Sequence, residues 1–445
     1  MTDRLPDLTQ VQSNVLRGFR THEALPILRY VFLAFSDTAS IRKWLGQTRD
    51  RVTSCAEWDR LNAGRAGDPD DAPFIWNVGF TYGGMKKLGL PDTPTPAPDV
   101  DPIECEVTEV SPFQDQAAFV QGAAVRGAAR LGDTGASAPK LWDEPYRGDK
   151  IDAVVSLAAW NDKGMATATK ALTASLKRVS GAQKLGEETG RALSDRPAGT
   201  EHFGFVDGIG QPYVEGSGLT AFPGEGAPED DGWRPIKPGE FVLGYEDETG
   251  RTLHNTDLLR DGSYLVFRKL HQDVAGFRSY TAATAAGMKD RSAEWVRAKM
   301  FGRWPSGASM EASPDHDDPA LGADPKRNND FRYSDDEHGR RCPFGAHIRR
   351  ANPRDAPDGP TPLQVNHHRI IRRGITYGPP LADQQPDDSA DRGILFVVLN
   401  ADIEQQFEFV QSNWMNAPLS SGLLTTLADK DTIVGANDGS GKLMI

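Results

Sequence analysis

Four times this chain runs from an apolar segment through a short polar turn into a helix-like pattern, and that repeat limits the available folds more than any other feature. The first unit is 28–35 (LRYVFLAF), then Ser36-Asp37-Thr38, then Ile41, Trp44 and Leu45 at helical spacing. The second is 151–160 (IDAVVSLAAW), with Asn161-Asp162 as cap and Met165, Ala168, Leu172 and Leu176 along one face. The third is 263–270 (SYLVFRKL), followed by Asp273, Val274 and Phe277, and the fourth is 394–400 (ILFVVLN), followed by Asp402, Ile403, Phe407 and Val410. Two units fall in each half, and 74–81 (FIWNVGFT) and 240–245 (EFVLGY) read as additional strands. Two strand-to-helix units plus extra strands per half match a split βαβ arrangement better than a doubly wound sheet, which needs more closely spaced repeats. The expected fold class is therefore α+β. Two ferredoxin-like domains, residues 1–198 and 199–445, are expected to pack into a β-sandwich-like core.

Composition narrows the function classes. The chain has 445 residues and a net charge of −13, so it lacks the positive footprint that nucleic acid or an anionic membrane would require. No stretch approaches the roughly 18 apolar residues of a membrane span, and the first twenty residues contain no secretory core, which predicts a soluble, cytoplasmic protein. Cys55, Cys105 and Cys342 are widely spaced and form no CxxC pair, which argues against a disulfide framework and against a thiolate metal site. Turn-rich segments fill 91–102, 215–239, 305–341, 354–362 and 379–392. The longest, 305–341, carries Asp315-His316-Asp317-Asp318 and Ser334-Asp335-Asp336-Glu337; a solvated charged loop outweighs a cation site there.

Two segments concentrate chemistry. In 202–212 (HFGFVDGIGQP), Asp207 sits among apolar residues and before two glycines, so the backbone can turn tightly and approach a ligand. An apolar setting favours the protonated form of such a carboxyl, although a plain Asp-Gly turn is the simpler reading of the segment taken alone. The GxxxGxG spacing is not a dinucleotide fingerprint. The second segment runs through 342–354 (CPFGAHIRRANPR) and 366–378 (NHHRIIRRGITYG). Three histidines and seven arginines lie between Arg341 and Arg373, a basic concentration that needs an anionic counterpart, either the protein's own carboxylates or an acidic ligand. Gly345 and Ala346 leave room for a flat ligand beside His347. His367 and His368 are adjacent, so their rings are expected to point apart even though either can ligate a metal.

Together these segments resemble the dye-decolorizing peroxidases, a haem peroxidase fold unrelated to the plant and animal peroxidases. GFVDGIGQP resembles the family's GxxDG motif, CPFGAHIRRANPR its proximal-histidine segment and HRIIRRGITYGPP its distal-arginine segment. QSNVLRGF, GEFVLGYEDETG, DGSYLVFRKLHQDVAGF and ILFVVLNADIEQQFEFVQ extend the similarity over most of the chain, and the long insertions resemble the larger subfamilies.

The resemblance implies haem b in the C-terminal half, with His347 as axial ligand of the iron, Asp207 as distal acid/base and Arg372, rather than Arg369, as distal arginine. The 25-residue spacing from His347 to Arg372 is longer than the family pattern, and the Pro-rich stretch at 356–362 absorbs the difference. By the same resemblance Asp402 would accept the second ring N–H of the axial histidine. Position alone makes Arg349 and Gln211 candidate partners of the haem propionates. The implied activity is oxidation of dyes, phenols and other bulky aromatic reductants by hydrogen peroxide, with an acidic pH optimum. Surface Tyr or Trp would relay electrons, and Trp414 and Tyr377 lie near the proposed site in sequence. The alternative is a haem-handling, deferrochelatase-like protein. Neither a manganese site nor an oligomeric state can be read from the residues.

Overall fold

Strand β1, Ile27–Phe35, is almost wholly apolar, with Arg29 its one charged residue, because both of its faces are covered. In the computed structural model, which describes residues 5–20, 24–64, 73–90, 116–253, 258–357, 359–421 and 424–436, its side chains alternate between two cores. Ile27, Val31, Leu33 and Phe35 pack on helices α1 (Thr38–Thr48) and α2 (Asp162–Lys177) through Ile41, Trp44, Met165, Ala168 and Leu172. Leu28, Tyr30 and Phe32 face the other way, toward Phe267, Tyr377, Leu395 and Val397 of a second sheet.

The first sheet comprises β1, β2 (Phe74–Phe80), β3 (Ala153–Ala159) and β4 (Ala182–Arg191) in the order β2-β3-β1-β4, antiparallel throughout. With α1 following β1 and α2 following β3, this is the split βαβ plan. The second sheet contains β5 (Tyr264–His271), followed by α3 (Val274–Ala286) and α4 (Ala293–Phe301), and later α5 (His347–Ala351) and α6 (Pro362–His367) lead into β6 (Ile371–Arg372), β7 (Ile375–Tyr377) and β8 (Gly393–Asn400). Strand β8 is central, with β5 on one edge and β6 and β7 in succession on the other. The sheets touch where Thr376 Oγ1 donates to the Arg191 carbonyl at 2.5 Å; beside it, a Cβ on Gly190 would fall 2.1 Å from Ile375.

The polar turns act as the sequence pattern requires. Asp37, Asn161 and Asp273 each accept the N–H three residues on, at 2.8 Å, and thereby cap α1, α2 and α3. Asp402 does the same for the fourth unit, accepting the N–H groups of Glu404 and Gln405 at 3.0 Å ahead of π-helical segments at Glu404–Glu408 and Val410–Met415.

Two expectations do not hold. Residues 240–245 form no strand: Phe241, Val242, Leu243 and Tyr245 are all buried, and the N–H groups of Phe241 and Val242 both bond the Pro238 carbonyl. Gly244 turns the chain away with φ +87°. Nor is 305–341 a solvated loop, since Ala308, Met310, Leu321, Phe331 and Tyr333 build a core with Trp304, Cys342 and Ala346. Some of its acidic residues serve the fold, Asp317 receiving the Ser306 N–H and Asp318 that of Leu321, while Asp315, Asp335 and Glu337 are exposed. Cys55 and Cys342 are buried free thiols, and burial pushes both up to about 11; Cys105 lies outside the described residues.

Leu157, in β3, is fully buried in the helix-facing core. Leu157→Ala is expected to cost about 2–5 kcal/mol. Urea unfolding followed by tryptophan fluorescence checks this, and an unchanged midpoint would contradict it.

Candidate active site

The loop carrying Asp207 is fixed by a carboxylate a few residues earlier. Glu201, 6% exposed, accepts the N–H groups of Phe203 and Phe205 at 2.8 and 2.9 Å and the Gln272 amide. The Asp207 N–H donates to the Gly199 carbonyl, and Gly208 at φ +87° makes the turn that a side chain would strain. Asp207 Oδ1 then accepts the Gly208 N–H at 2.6 Å and Arg372 Nη1 at 3.0 Å. Arg372, in β6, places its other terminal nitrogen on the Ile209 carbonyl at 2.9 Å, so one guanidinium grips the loop twice.

Gln211 sets the position of that arginine. Its Oε1 accepts the Arg372 N–H at 3.1 Å, and its Nε2 donates to the carbonyls of Arg372 and Phe19 at 2.7 and 3.0 Å. With its amide fully engaged and 1% exposed, Gln211 is not the propionate partner expected from its position. Arg369 lies 6% exposed against the carbonyls of Gly210 and Glu225, so Arg372 is the arginine brought to Asp207.

His347 opens α5. Its Nδ1 lies 3.1 Å from Oδ2 of Asp431, a fully buried residue whose Oδ1 accepts the N–H groups of Ile433 and Val434. Asp402 is therefore not the partner of this ring, being occupied as a helix cap. Nothing near His347 in sequence announces Asp431, 84 positions away; its only local sign is an Asp heading a turn into Ile433 and Val434. An aromatic chain joins the two halves of the site: Phe205 stacks on Phe301 at 4.1 Å, and the Phe301 ring meets that of His347 at 6.4 Å.

The charges act on one another. Burial pushes the Asp207 carboxyl up, but Arg372, the Gly208 N–H and His347 together hold it below the usual carboxylate range, the reverse of what an apolar setting alone predicts. For His347, burial works downward and is outweighed by Asp431, through charge and hydrogen bond, so the ring is raised. Asp207 and His347 lie deep in the protein yet keep 44 and 24% of their side chains accessible, and Arg372, paired with Asp207, keeps 28%, so they face a cavity. The three groups therefore share a hollow that carries both signs of charge.

Around it lie buried arginines, two of which, Arg303 and Arg354, sequence reasoning gave no role. Arg303, Arg354 and Arg369 are each 5–6% exposed and bond carbonyls and Asn329; among the described residues none pairs with a carboxylate. Burial, aided by the charges of Arg354 and Arg372, brings Arg303 and Arg369 down to about 9. Buried cations of this kind fit an acidic ligand that brings its own carboxylates.

Arg349 is engaged elsewhere. It is 3% exposed, bonds Asp336 and the Cys342 carbonyl, and lies 4.4 Å over the rings of both Tyr333 and Phe344, which removes it from the expected propionate role. His367 and His368 do point to different partners, the first to Glu240 and the second stacked on Phe409 at 3.7 Å. Trp414 and Tyr377 are 8 and 7% exposed, packed rather than presented at the surface.

An α+β chain with antiparallel sheets and a histidine–aspartate–arginine cavity belongs to a class that comparison makes specific. Residues 10–190 match the family described as the DyP dimeric alpha+beta barrel domain. A dye-decolorizing peroxidase of Mycena epipterygia is 32% identical over 436 residues, covering 92% of this chain and 72% of that one. The solved structure of a dye-decolorizing peroxidase in complex with 2,6-dimethoxyphenol superposes with a TM-score of 0.78 at 32% identity, covering 97% of this chain and 89% of the other. An ancestral D-type dye-decolorizing peroxidase gives 0.81 at 28% identity, covering 99 and 91%. The chain belongs to the dye-decolorizing peroxidase family, whose members are haem enzymes, and it is a peroxidase.

Asp336 accepts the N–H groups of Arg340, Arg341 and Cys342 as well as Arg349, all in or beside the segment leading to His347. Asp336→Ala leaves a buried guanidinium and three N–H groups without their acceptor and is expected to cost about 3–5 kcal/mol. Thermal unfolding of the variant measures it; a melting temperature within a degree of the parent would refute the assignment.

Proposed function

We propose that this chain is a haem b peroxidase that uses hydrogen peroxide to oxidise dyes, phenols and other bulky aromatic reductants. The observation that carries this reading is the Asp207–Arg372 pair, held by Gln211 in the same cavity as a His347 ring whose Nδ1 is taken by Asp431. The phenol bound by the similar solved structure supports the substrate class. The boundary proposed between 198 and 199 leaves all five of those residues in the second domain.

The residues fit the group. His347 offers Nε2 to the iron, Asp431 fixes the ring proton on Nδ1 and makes the ligand more electron-donating, and Arg303, Arg354 and Arg369 supply charge for propionates. Haem, when bound, supplies a centre that accepts oxidising equivalents from peroxide and passes them to the reductant. Peroxide must lose a proton from one oxygen and regain one on the oxygen that leaves as water. The Asp207 carboxylate, ionised because Arg372 holds it low, takes that proton and returns it. Arg372, permanently charged, stabilises the negative charge that develops as the O–O bond breaks.

Asp207→Asn is expected to keep the haem spectrum while slowing the reaction with peroxide about 10²–10⁴-fold in stopped flow. A wild-type rate would remove Asp207 from the chemistry. Arg372 depresses the Asp207 carboxyl, so wild-type activity persists as pH falls until that low value is crossed. Arg372→Leu releases the carboxyl upward and moves the acid limb of the rate profile to higher pH; an unmoved limb would contradict the coupling.

Asp431→Ala is expected to speed haem loss to apomyoglobin about 10–100-fold. Unchanged loss would mean that the carboxylate does not hold the ligand.

A further inference from the structure

A second cluster of ligating groups lies on the turn that leads into 240–245, and none of its members hydrogen-bonds Asp207, Arg372 or His347. Glu240 closes the turn Pro238–Glu240, Asp247 follows seven residues later, and His367 ends α6. One ligand atom from each lies within 4.8 Å of the others. Glu240 and Asp247 are both 2% exposed.

We propose that Glu240, Asp247 and His367 form a binding site for a first-row divalent cation such as Mn²⁺ or Zn²⁺. The two carboxylates are oriented from behind. Glu240 Oε1 accepts the Glu248 N–H at 2.9 Å, and Asp247 Oδ1 accepts the N–H groups of Thr249 and Arg251 and the Thr249 hydroxyl at 2.7–2.9 Å. Asp247 Oδ2, by contrast, is buried with no hydrogen-bond partner among the described residues, a costly state for an anionic oxygen unless a cation faces it. The nearest guanidinium, that of Arg251, lies 3.8 Å away on a side chain 58% exposed.

The remaining geometry suits a metal. His367 Nδ1 and Glu240 Oε1 are 2.8 Å apart, close to the roughly 3 Å between neighbouring ligands whose bonds to the ion are about 2.1 Å. Binding replaces the shared proton on that ring nitrogen, which leaves to solvent, and the imidazole and two carboxylates form a mixed N/O donor set suited to transition divalents. A bound ion would tie the turn at 238–248 to the end of α6, four residues before β6 begins.

The haem-loaded protein, dialysed against EDTA and then into metal-free buffer, is titrated calorimetrically with MnCl₂ and, separately, with ZnCl₂. One equivalent is expected to bind saturably, and Asp247→Asn, which keeps the acceptor for Thr249 and Arg251, is expected to weaken binding at least tenfold. His367→Gln serves as the second variant with the same expectation, with the Soret band and circular dichroism reporting that each variant is folded. Absence of a one-equivalent event with either ion in the wild type, or undiminished binding in a folded variant, would show a hydrogen-bonded His–Glu pair only and overturn the site.

Discussion

Burial of β1 on both faces holds the molecule together. One set of its side chains is covered by α1 and α2, the other by the second sheet, and each large apolar side chain so enclosed contributes about 1.5–3 kcal/mol. The second sheet owes its position to this contact: Leu395 and Val397 of β8 meet Leu28, Tyr30 and Phe32, and β8 in turn pairs with β6 through Val398 and Arg372. The backbone that presents Arg372 is thus anchored, two strands removed, to an apolar face in the other half of the chain. Gln211 completes the anchoring by joining Arg372 to Phe19.

What the sequence made legible was local. Each strand-to-helix unit carries its apolar run, its cap and its helical spacing close together in sequence, and all four formed where read, the fourth continuing into π-helical segments. The segment at 240–245 misled because complete burial produces an apolar run without a sheet partner, while Gly239 and Gly244 bend it into turns. The acidic stretch at 305–341 misled for the opposite reason: charged residues suggested solvent, yet Asp317, Asp318 and Asp336 are spent on backbone N–H groups. In the site, Asp207, Arg372 and His347 were found by motif and are brought to one cavity. Asp402 was carried over by resemblance, and Arg349 and Gln211 came from counting positions along the chain; neither says which way a side chain is drawn. Asp402 is drawn to a helix end, Arg349 to Asp336 and Gln211 to the backbone of Arg372.

The net charge of −13 conceals how charge is used inside. Arg354 and Arg372 each act on both Arg303 and Arg369, and among the described residues Arg372 alone of the four forms an ion pair with a carboxylate. Of these it is Arg372, together with the Gly208 N–H and His347, that pulls the Asp207 carboxyl below its ordinary value against the effect of burial.

The contact between His347 and Asp431 closes a loop of 84 residues that includes α6, β6, β7, β8 and the π-helical segments. Bringing such distant positions together is entropically dear and has no local shortcut. During synthesis the histidine emerges long before its carboxylate, so the ring cannot be oriented until nearly all of the second sheet has left the ribosome. On the proposed reading, a cofactor held through that ring would be locked in last, and its retention would report that the C-terminal half has finished folding.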